Sequence, residues 1–184
     1  MRIIAGELKG RRLVAPRGER TRPTADQVRL ALMDTLAPVL PGARLLDLFA
    51  GAGGVGLEAL SRGAAHVTFV ERDPRALAAL RDNVATLGLE SRARVLALEA
   101  RRAVERLAGD GERFDLVFLD PPYESELTTT TLTALGAGRV TAPGAIVVAQ
   151  HFTKQAPAAE IGALRAYRTR RFGETTLTFF RAGG

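Results

Sequence analysis

Short apolar runs alternate with segments of helical periodicity from Arg44 to about residue 149. The apolar runs predict five strands, at 44–48, 66–71, 93–98, 114–119 and 144–149. The segments between them predict four helices, near 53–62, 74–87, 100–108 and 126–136. Strands and helices that alternate in this way form a parallel sheet with helices on both faces. An α/β fold is therefore expected.

The two ends of the chain depart from this alternation. Residues 164–171 and 175–181 are β-prone runs that predict an antiparallel pair at the end of the sheet. Residues 1–6 and 11–15 predict a hairpin with a glycine-bearing turn. A helix is expected next, with Thr24 as its N-cap, because the apolar residues after it recur at helical spacing. We therefore predict a hairpin extension at 1–22 and an α/β domain at 23–184.

The composition excludes several classes of protein. The chain has 184 residues, of which 46% are hydrophobic and 25% are charged, as in ordinary soluble proteins. No apolar run approaches the roughly 18 residues of a membrane span, and the first residues lack a signal-peptide pattern, so a cytoplasmic protein is expected. There is no cysteine, which excludes disulfides and thiolate metal sites. The only histidines, His66 and His151, are not at zinc-ligand spacing, so no metal is expected.

The positive charge is concentrated at the two ends of the chain. Residues 1–22 carry seven basic side chains against two glutamates, and residues 160–184 carry five arginines against two glutamates. Clustered arginines favour a polyanion such as nucleic acid, because each neutralised phosphate releases counterions. A solvated basic surface without a partner is the alternative. No hydrophobic seam indicates an oligomer, so a monomer is expected.

A glycine-rich loop, Gly51-Ala52-Gly53-Gly54-Val55-Gly56, follows a predicted strand and opens a predicted helix, which is typical of a nucleoside-cofactor site. Glu71 ends the next strand, where a carboxylate can accept hydrogen bonds from both ribose hydroxyls. This pattern fits NAD and S-adenosylmethionine alike. Asp47 favours S-adenosylmethionine, because a carboxylate there attracts an ammonium group and repels a pyrophosphate. The alternative is that Asp47 caps the loop and Glu71 caps the following helix.

The apolar strand at 114–119 ends in Asp120-Pro121-Pro122-Tyr123, a sequence suited to holding a flat amino-bearing group. Asp120 can accept one N–H of an exocyclic amine while the Pro121 carbonyl accepts the other. Proline stiffens this wall, because it fixes φ and removes a backbone donor. Tyr123 would stack on a base that has left its helical stack. The alternative is a simple turn with a surface tyrosine.

The chain resembles the bacterial 16S rRNA guanine-N2-methyltransferase family over nearly its whole length. The motifs that carry the resemblance are Arg2-Ile3-Ile4-Ala5-Gly6, Lys9-Gly10-Arg11, Arg22-Pro23-Thr24, Val28-Arg29, Asp47-Leu48-Phe49-Ala50-Gly51, Gly56-Leu57-Glu58-Ala59-Leu60-Ser61-Arg62 and Asp120-Pro121-Pro122-Tyr123. The resemblance implies a Rossmann-like class I methyltransferase fold with a seven-stranded, mostly parallel sheet and an antiparallel last strand. It also implies methyl transfer from S-adenosylmethionine to guanine N2 of 16S rRNA, within a small subunit or an assembly particle.

The resemblance assigns roles to individual residues. The cofactor would be contacted by Asp47, Phe49, Ala50, Gly51, Gly53, Gly56, Glu71, Arg72, Glu99, Ala100 and Asp120. The target base would be held by Asp120, Pro121, Pro122 and Tyr123. The RNA would be contacted by Lys9, Arg11, Arg12, Arg20, Arg22 and Thr24. The chain departs from the family at Glu99, where asparagine or aspartate is common, and at Gln150-His151, where an acid often follows the strand. His151 is expected at the surface.

Other functions fit parts of the same pattern. An amino methyltransferase acting on adenine N6 or on a protein glutamine could use a similar tetrad, although those relatives more often begin it with asparagine. A non-catalytic RNA-binding module would retain the basic ends without needing Asp47, Glu71 or Asp120. A dinucleotide oxidoreductase would explain the glycine loop and leave the tetrad unexplained.

Overall fold

The computed structural model describes residues 1–16, 23–122 and 125–183. The chain divides into two compact units, Met1–Ala97 and Leu98–Gly184. The predicted Tyr123, Arg20 and Arg22 lie outside the described residues. In the described part of the chain, no helix is long and apolar enough to cross a membrane.

The first unit is a three-stranded parallel sheet with three helices. In chain order its elements are α1 (Pro23–Leu36), β1 (Arg44–Leu48), α2 (Gly54–Ser61), β2 (His66–Glu71), α3 (Pro74–Leu87) and β3 (Ala93–Ala97). The strand order is β3-β2-β1, and Asp47 lies opposite Phe69 in the pairing of β1 with β2. The strand positions were predicted because these strands are apolar, with the cores of β1 and β2 fully buried.

Capping residues predict the start of α3 correctly and the start of α1 incorrectly. The helix α3 begins as predicted, because the Asp73 carboxylate accepts hydrogen bonds from the backbone N–H groups of Arg75 and Ala76. It ends at Gly88, whose φ of 67° is the left-handed conformation that glycine adopts without strain. The helix α1 begins at Pro23, so the predicted N-cap Thr24 lies inside its first turn.

The N-terminal segment forms a short antiparallel hairpin, with a bridge between Arg2 and Arg12 and backbone hydrogen bonds from Ile3 N–H to the Arg11 carbonyl (3.0 Å) and from Leu13 N–H to the Met1 carbonyl (2.9 Å). The backbone of this segment also bonds to α2. Glu58, which is 0% exposed, accepts hydrogen bonds from the N–H groups of Ile4 (2.8 Å) and Ala5 (2.9 Å). Ser61 accepts from the N–H of Leu8 through its hydroxyl at 3.0 Å. The segment is thus held both by its own cross-strand hydrogen bonds and by tertiary contacts with α2.

Gly6 allows this close approach. A Cβ atom at Gly6 would lie 2.0 Å from the carbonyl oxygen of Ser61, and its φ of +84° disfavours any other residue. The buried Glu58 also pairs with Arg62, at 2.9 Å between Oε1 and Nε, and lies 4.0 Å from Arg29. One carboxylate therefore joins α1, α2 and the N-terminal segment.

We expect Glu58→Ala to lower the free energy of unfolding by about 3–5 kcal/mol, because it leaves buried arginine and backbone N–H groups without their acceptor. Denaturant unfolding measures this loss. The matched control is Glu105→Ala, which removes a half-exposed carboxylate paired with Arg101 at 2.7 Å and should cost less than about 1 kcal/mol. Equal effects of the two substitutions would contradict the role given to Glu58.

The second unit contains a five-stranded mixed sheet. In chain order its elements are α4 (Ala100–Gly109), β4 (Phe114–Leu119), α5 (Ser125–Gly136), β5 (Thr141–Phe152), a 3₁₀ turn (Thr153–Gln155), β6 (Glu160–Ile161), β7 (Leu164–Phe172) and β8 (Thr175–Ala182). The strand order is β4-β5-β8-β7-β6. The pairing of β4 with β5 is parallel, and β8 is antiparallel to both β5 and β7.

The predicted antiparallel end of the sheet is confirmed, with two refinements. The last strand, β8, lies between β5 and β7, and its residues Phe179 and Phe180 point to opposite faces and are both 0% exposed, so the sheet is covered on both faces at this point. The described residues also form eight strands rather than seven. The additional strand, β6, has two residues and pairs only with the start of β7.

Candidate active site

The glycine loop between β1 and α2 adopts a strained conformation suited to a ligand. Phe49 has a φ of 63°, and among the described residues it is the one non-glycine residue in the left-handed region. Such a conformation costs roughly 1–3 kcal/mol and is concentrated at ligand-binding sites. Beside Gly51 (φ +57°), an added Cβ would meet nothing within 4 Å. The backbone here is thus open to a ligand.

Two further glycines pack the loop tightly against its own unit. A Cβ at Gly53 would lie 2.6 Å from Leu80 Cδ1, and one at Gly56 would lie 2.3 Å from the ring of Phe69. Phe69 belongs to β2, so Gly56 sets how closely α2 approaches the sheet. This close packing is the role of the third glycine in nucleotide-binding loops.

Glu71 ties the end of β2 to the glycine loop. Its Oε2 accepts a hydrogen bond from the N–H of Gly51 at 2.8 Å, and its Oε1 accepts from the N–H groups of Arg72 and Asp73 at 2.7 and 2.8 Å. A carboxylate has about four lone-pair positions, so Oε2 keeps one for a further donor. Asp73, not Glu71, caps α3. The contact of Glu71 with a ribose stays a prediction.

Asp47 is buried at the end of β1, with 1% of its surface exposed. Its Oδ2 accepts a hydrogen bond from the N–H of Gly56 at 3.0 Å. This carboxylate therefore fixes the start of α2 relative to β1, as the loop-capping alternative anticipated. A direct contact with the ammonium group of a ligand stays a prediction.

Asn83 in α3 was not identified from the sequence. Its side chain is 2% exposed and donates a hydrogen bond to the carbonyl of Ala52, inside the glycine loop, at 3.0 Å. It also bonds twice to the backbone of Val14, accepting from its N–H and donating to its carbonyl. One buried amide thus connects the loop to the N-terminal segment. The available signal was a polar residue on the apolar face of α3, between Leu80 and Leu87.

Asp120 follows the last residue of β4 in the second unit, as predicted. Its surface is accessible to solvent, yet the surrounding protein raises its pKa from 3.8 to about 7 by desolvation. Both properties hold together when a side chain lies in a concavity, because water reaches one side while low-dielectric protein surrounds the rest. A carboxyl group that titrates near neutral pH is a candidate for proton exchange with a substrate. Pro121 is half-buried and Pro122 is exposed beside it.

The other predicted contact residues occupy ordinary structural positions. Glu99 caps α4 by accepting hydrogen bonds from the N–H groups of Arg101 and Arg102, and Ala100 is buried in the first turn. Arg72 is exposed after β2. Lys9, Arg11 and Arg12 are exposed on the N-terminal segment, where Arg11 donates to the carbonyl of Thr86 at 3.0 Å. Their roles in binding stay predictions.

The expectation of a surface position for His151 is wrong. His151 is 9% exposed, and its ring nitrogens bond to the carbonyl of Phe152 and the hydroxyl of Thr178 at 2.7 and 2.8 Å. Burial lowers its pKa. The pairing of β5 with β8 places Thr178 diagonally across from His151 on the same face, where it serves as the hydrogen-bond partner of the ring.

Over its full length the chain is similar to two proteins whose names describe them as putative methyltransferases. The solved structure titled "Putative methyltransferase yhhF from Escherichia coli" matches with a TM-score of 0.87 and 32% identity, over 100% of this chain and 98% of that one. "Putative rRNA methyltransferase YlbH" of Bacillus subtilis is 37% identical over 100% of both chains. "Ribosomal RNA small subunit methyltransferase D" of Escherichia coli K12 is 43% identical over 73% of this chain and 66% of its own length.

The strands, the glycine loop and these neighbours together define a Rossmann-like methyltransferase fold. The family described as "Conserved hypothetical protein 95" matches residues 1–181. The chain belongs to this family, that of ribosomal RNA small subunit methyltransferase D.

Proposed function

We propose that this protein transfers a methyl group from S-adenosylmethionine to the exocyclic N2 amino group of a guanine in small-subunit rRNA. The observation that carries the proposal is Asp120, an exposed residue at the end of β4 that precedes two prolines and whose pKa is raised to about 7 by desolvation. Membership of the rRNA methyltransferase family supports the substrate class.

The glycine loop and Glu71 fit the cofactor. The open backbone at Gly51, the strained Phe49 and the free lone pair of Glu71 Oε2 provide a cradle for a nucleoside. When bound, S-adenosylmethionine supplies an electrophilic methyl group. The buried Asp47 and the packed Gly56 hold the loop in shape without needing the ligand, so little ordering is required on binding.

Asp120 would orient the amine and take its proton. The guanine N2 lone pair is delocalised into the ring, so the amine needs an acceptor that turns its N–H groups and aligns the nitrogen with the methyl group. As the N–C bond forms and the S–C bond breaks, the amine loses one proton, which Asp120 accepts. The Pro121 carbonyl would accept the second N–H, and Tyr123 would stack on the base.

Labelled S-adenosylmethionine tests the proposed substrate. The full chain is given naked 16S rRNA, small subunits that lack the modification, duplex DNA and total protein. We expect label in the rRNA, whether free or within the subunit. Label in DNA or protein, with the rRNA untouched, would overturn the proposal. The exposed Lys9, Arg11 and Arg12 make the N-terminal segment the proposed contact with rRNA.

The raised pKa of Asp120 predicts the dependence of the reaction on pH. Because the ionised form accepts the hydrogen bond and the proton, kcat/KM should rise about tenfold per pH unit below pH 7 and then level off. The variant Asp120→Asn should retain weak activity with a flat profile, because an amide oxygen does not titrate. A wild-type profile that is flat from pH 5 to pH 8 would contradict this role.

The same shift predicts a cost in stability. The folded protein binds the proton of Asp120 more tightly than the unfolded chain does, so this contribution is present below about pH 4 and is lost as the pH rises through 7. At pH 8 we therefore expect Asp120→Asn to melt at a higher temperature than the wild type. Thermal unfolding at pH 5 and pH 8 provides the comparison.

A further inference from the structure

The strands β7 and β8 of the second unit carry a basic and aromatic surface that the active-site residues do not explain. We define the arginine–tyrosine patch as Arg165, Tyr167, Arg168 and Arg170 of β7 with Arg181 of β8. Four of these side chains are exposed, and Arg170 is half-buried. Tyr167 is 47% exposed, a high value for an aromatic side chain in a strand.

The pairing of β7 with β8 places these side chains on one face of the sheet. Arg165 lies opposite Arg181, Arg168 opposite Phe179 and Arg170 opposite Leu177. Directly opposed residues share a face, and positions 177, 179 and 181 of one strand share a face because side chains alternate. The four arginines therefore project to the same side.

A β-bulge brings Tyr167 to that side as well. The register shifts between Ala166 and Arg168, so Tyr167 is the extra residue. Its ring packs edge-on against Phe179, with centroids 6.4 Å apart, and the guanidinium of Arg181 lies 5.0 Å from its centroid. The guanidinium of Arg170 likewise lies over the ring of Phe172, 5.7 Å from its centroid.

Carboxylates of the described residues balance only part of the charge of the patch. Arg165 is 3.3 Å from Glu160. For Arg168 and Arg181, no carboxylate in residues 1–16, 23–122 or 125–183 forms an ion pair. Charged residues on an edge strand often have no other role than to prevent aggregation. An exposed tyrosine at the same edge favours aggregation, so that role does not explain this patch. A row of arginines with a stacking ring instead complements a phosphate backbone that carries unstacked bases.

We infer that the arginine–tyrosine patch binds a single-stranded segment of RNA, with phosphates on Arg168, Arg170 and Arg181 and a base on Tyr167. This inference rests on the proposed function, because it supplies a second anchor for the rRNA outside the N-terminal segment. Two separate anchors increase the affinity for one long substrate without any change at the reacting base.

The probe is a fluorescent 12-nucleotide oligouridine. An abasic RNA of equal length and charge is the comparison probe that lacks bases. The variant R168Q/R170Q/R181Q should bind oligouridine at least tenfold more weakly than the wild type, and the slope of log K against log salt should flatten by about 2. The lysine variant R168K/R170K/R181K should retain the slope. The control R81Q/R106Q/R113Q removes the same charge from exposed positions elsewhere and should change affinity less than threefold.

Stacking is tested separately. The wild type should prefer oligouridine to the abasic RNA by about fivefold or more, and Tyr167→Leu should lose this preference while Tyr167→Phe keeps it. Equal binding of both probes by the wild type would overturn the role of Tyr167. An equal loss of affinity in the control triple variant, or none in the patch variant, would overturn the patch.

Methyl transfer to rRNA, measured on the same preparations, separates this inference from the proposed function. If the wild type labels rRNA while the patch variant binds oligouridine normally, the patch is wrong and the proposed function stands. If the wild type labels no rRNA but the patch variant loses affinity for oligouridine, the proposed function is wrong and the patch stands.

Discussion

Asp120→Ala is expected to lower the rate of methyl transfer by at least about 10²–10³-fold, because the amine then lacks the acceptor that orients it and takes its proton. The affinity for S-adenosylhomocysteine should stay within a few-fold of the wild type, since the glycine loop and Glu71 are unchanged. Single-turnover transfer measures the first quantity, and calorimetry measures the second.

The matched control for this substitution lies on the same strand. Asp115 in β4 is also exposed, and Asp115→Ala removes an equal charge five residues from Asp120. It should leave transfer within about threefold of the wild type. Equal turnover of Asp120→Ala and the wild type would remove Asp120 from the reaction, whereas equal losses in both variants would indicate a general effect of charge.

The second large effect is expected at Glu71. Glu71→Ala should weaken binding of S-adenosylhomocysteine by about 10–10²-fold, because one hydrogen bond from a ribose hydroxyl to the free position on Oε2 contributes about 1.5–3 kcal/mol. The substitution also frees the N–H groups of Gly51, Arg72 and Asp73. Part of the loss would therefore come from a looser loop.

An analogue separates the two contributions. S-adenosylhomocysteine that lacks the ribose 2′-hydroxyl should lose affinity for the wild type but little further affinity for Glu71→Ala. The control Glu90→Ala removes an exposed carboxylate of the same unit and should bind both ligands normally. If removal of the 2′-hydroxyl lowers the affinity by the same factor in the wild type and in Glu71→Ala, then Glu71 acts only on the loop and not on the ribose.

Much of the fold was predictable because the strands are buried and apolar. The predicted spans of β1, β2 and β4 agree with the structure to the residue. The attachment of the N-terminal segment to α2 was not predictable, because its N–H groups bond to Glu58 and Ser61, more than 50 positions away. A local pattern carries no information on such contacts. The addition of β6 and the burial of His151 likewise depend on which strands become neighbours.

In the candidate site, too, some features were predictable from the sequence and others depend on tertiary packing. The positions of Glu71 and Asp120 at strand ends followed from the alternation of strands and helices. The loop-capping role of Asp47 was among the predicted alternatives, whereas the tertiary bonds of Asn83 were not predictable, because they depend on how α3 packs against the glycine loop and the N-terminal segment. The raised pKa of Asp120 also arises from the folded surroundings rather than from its neighbours in sequence.

Identification of the methylated nucleoside tests the central claim most directly. The wild-type chain is incubated with unmodified small subunits and S-adenosylmethionine. The rRNA is then digested, and the nucleosides are separated and identified by mass spectrometry. We predict N2-methylguanosine at a single site, absent when Asp120→Ala replaces the wild type. N6-methyladenosine, or a methylguanosine that the Asp120→Ala variant forms at the wild-type rate, would contradict the account.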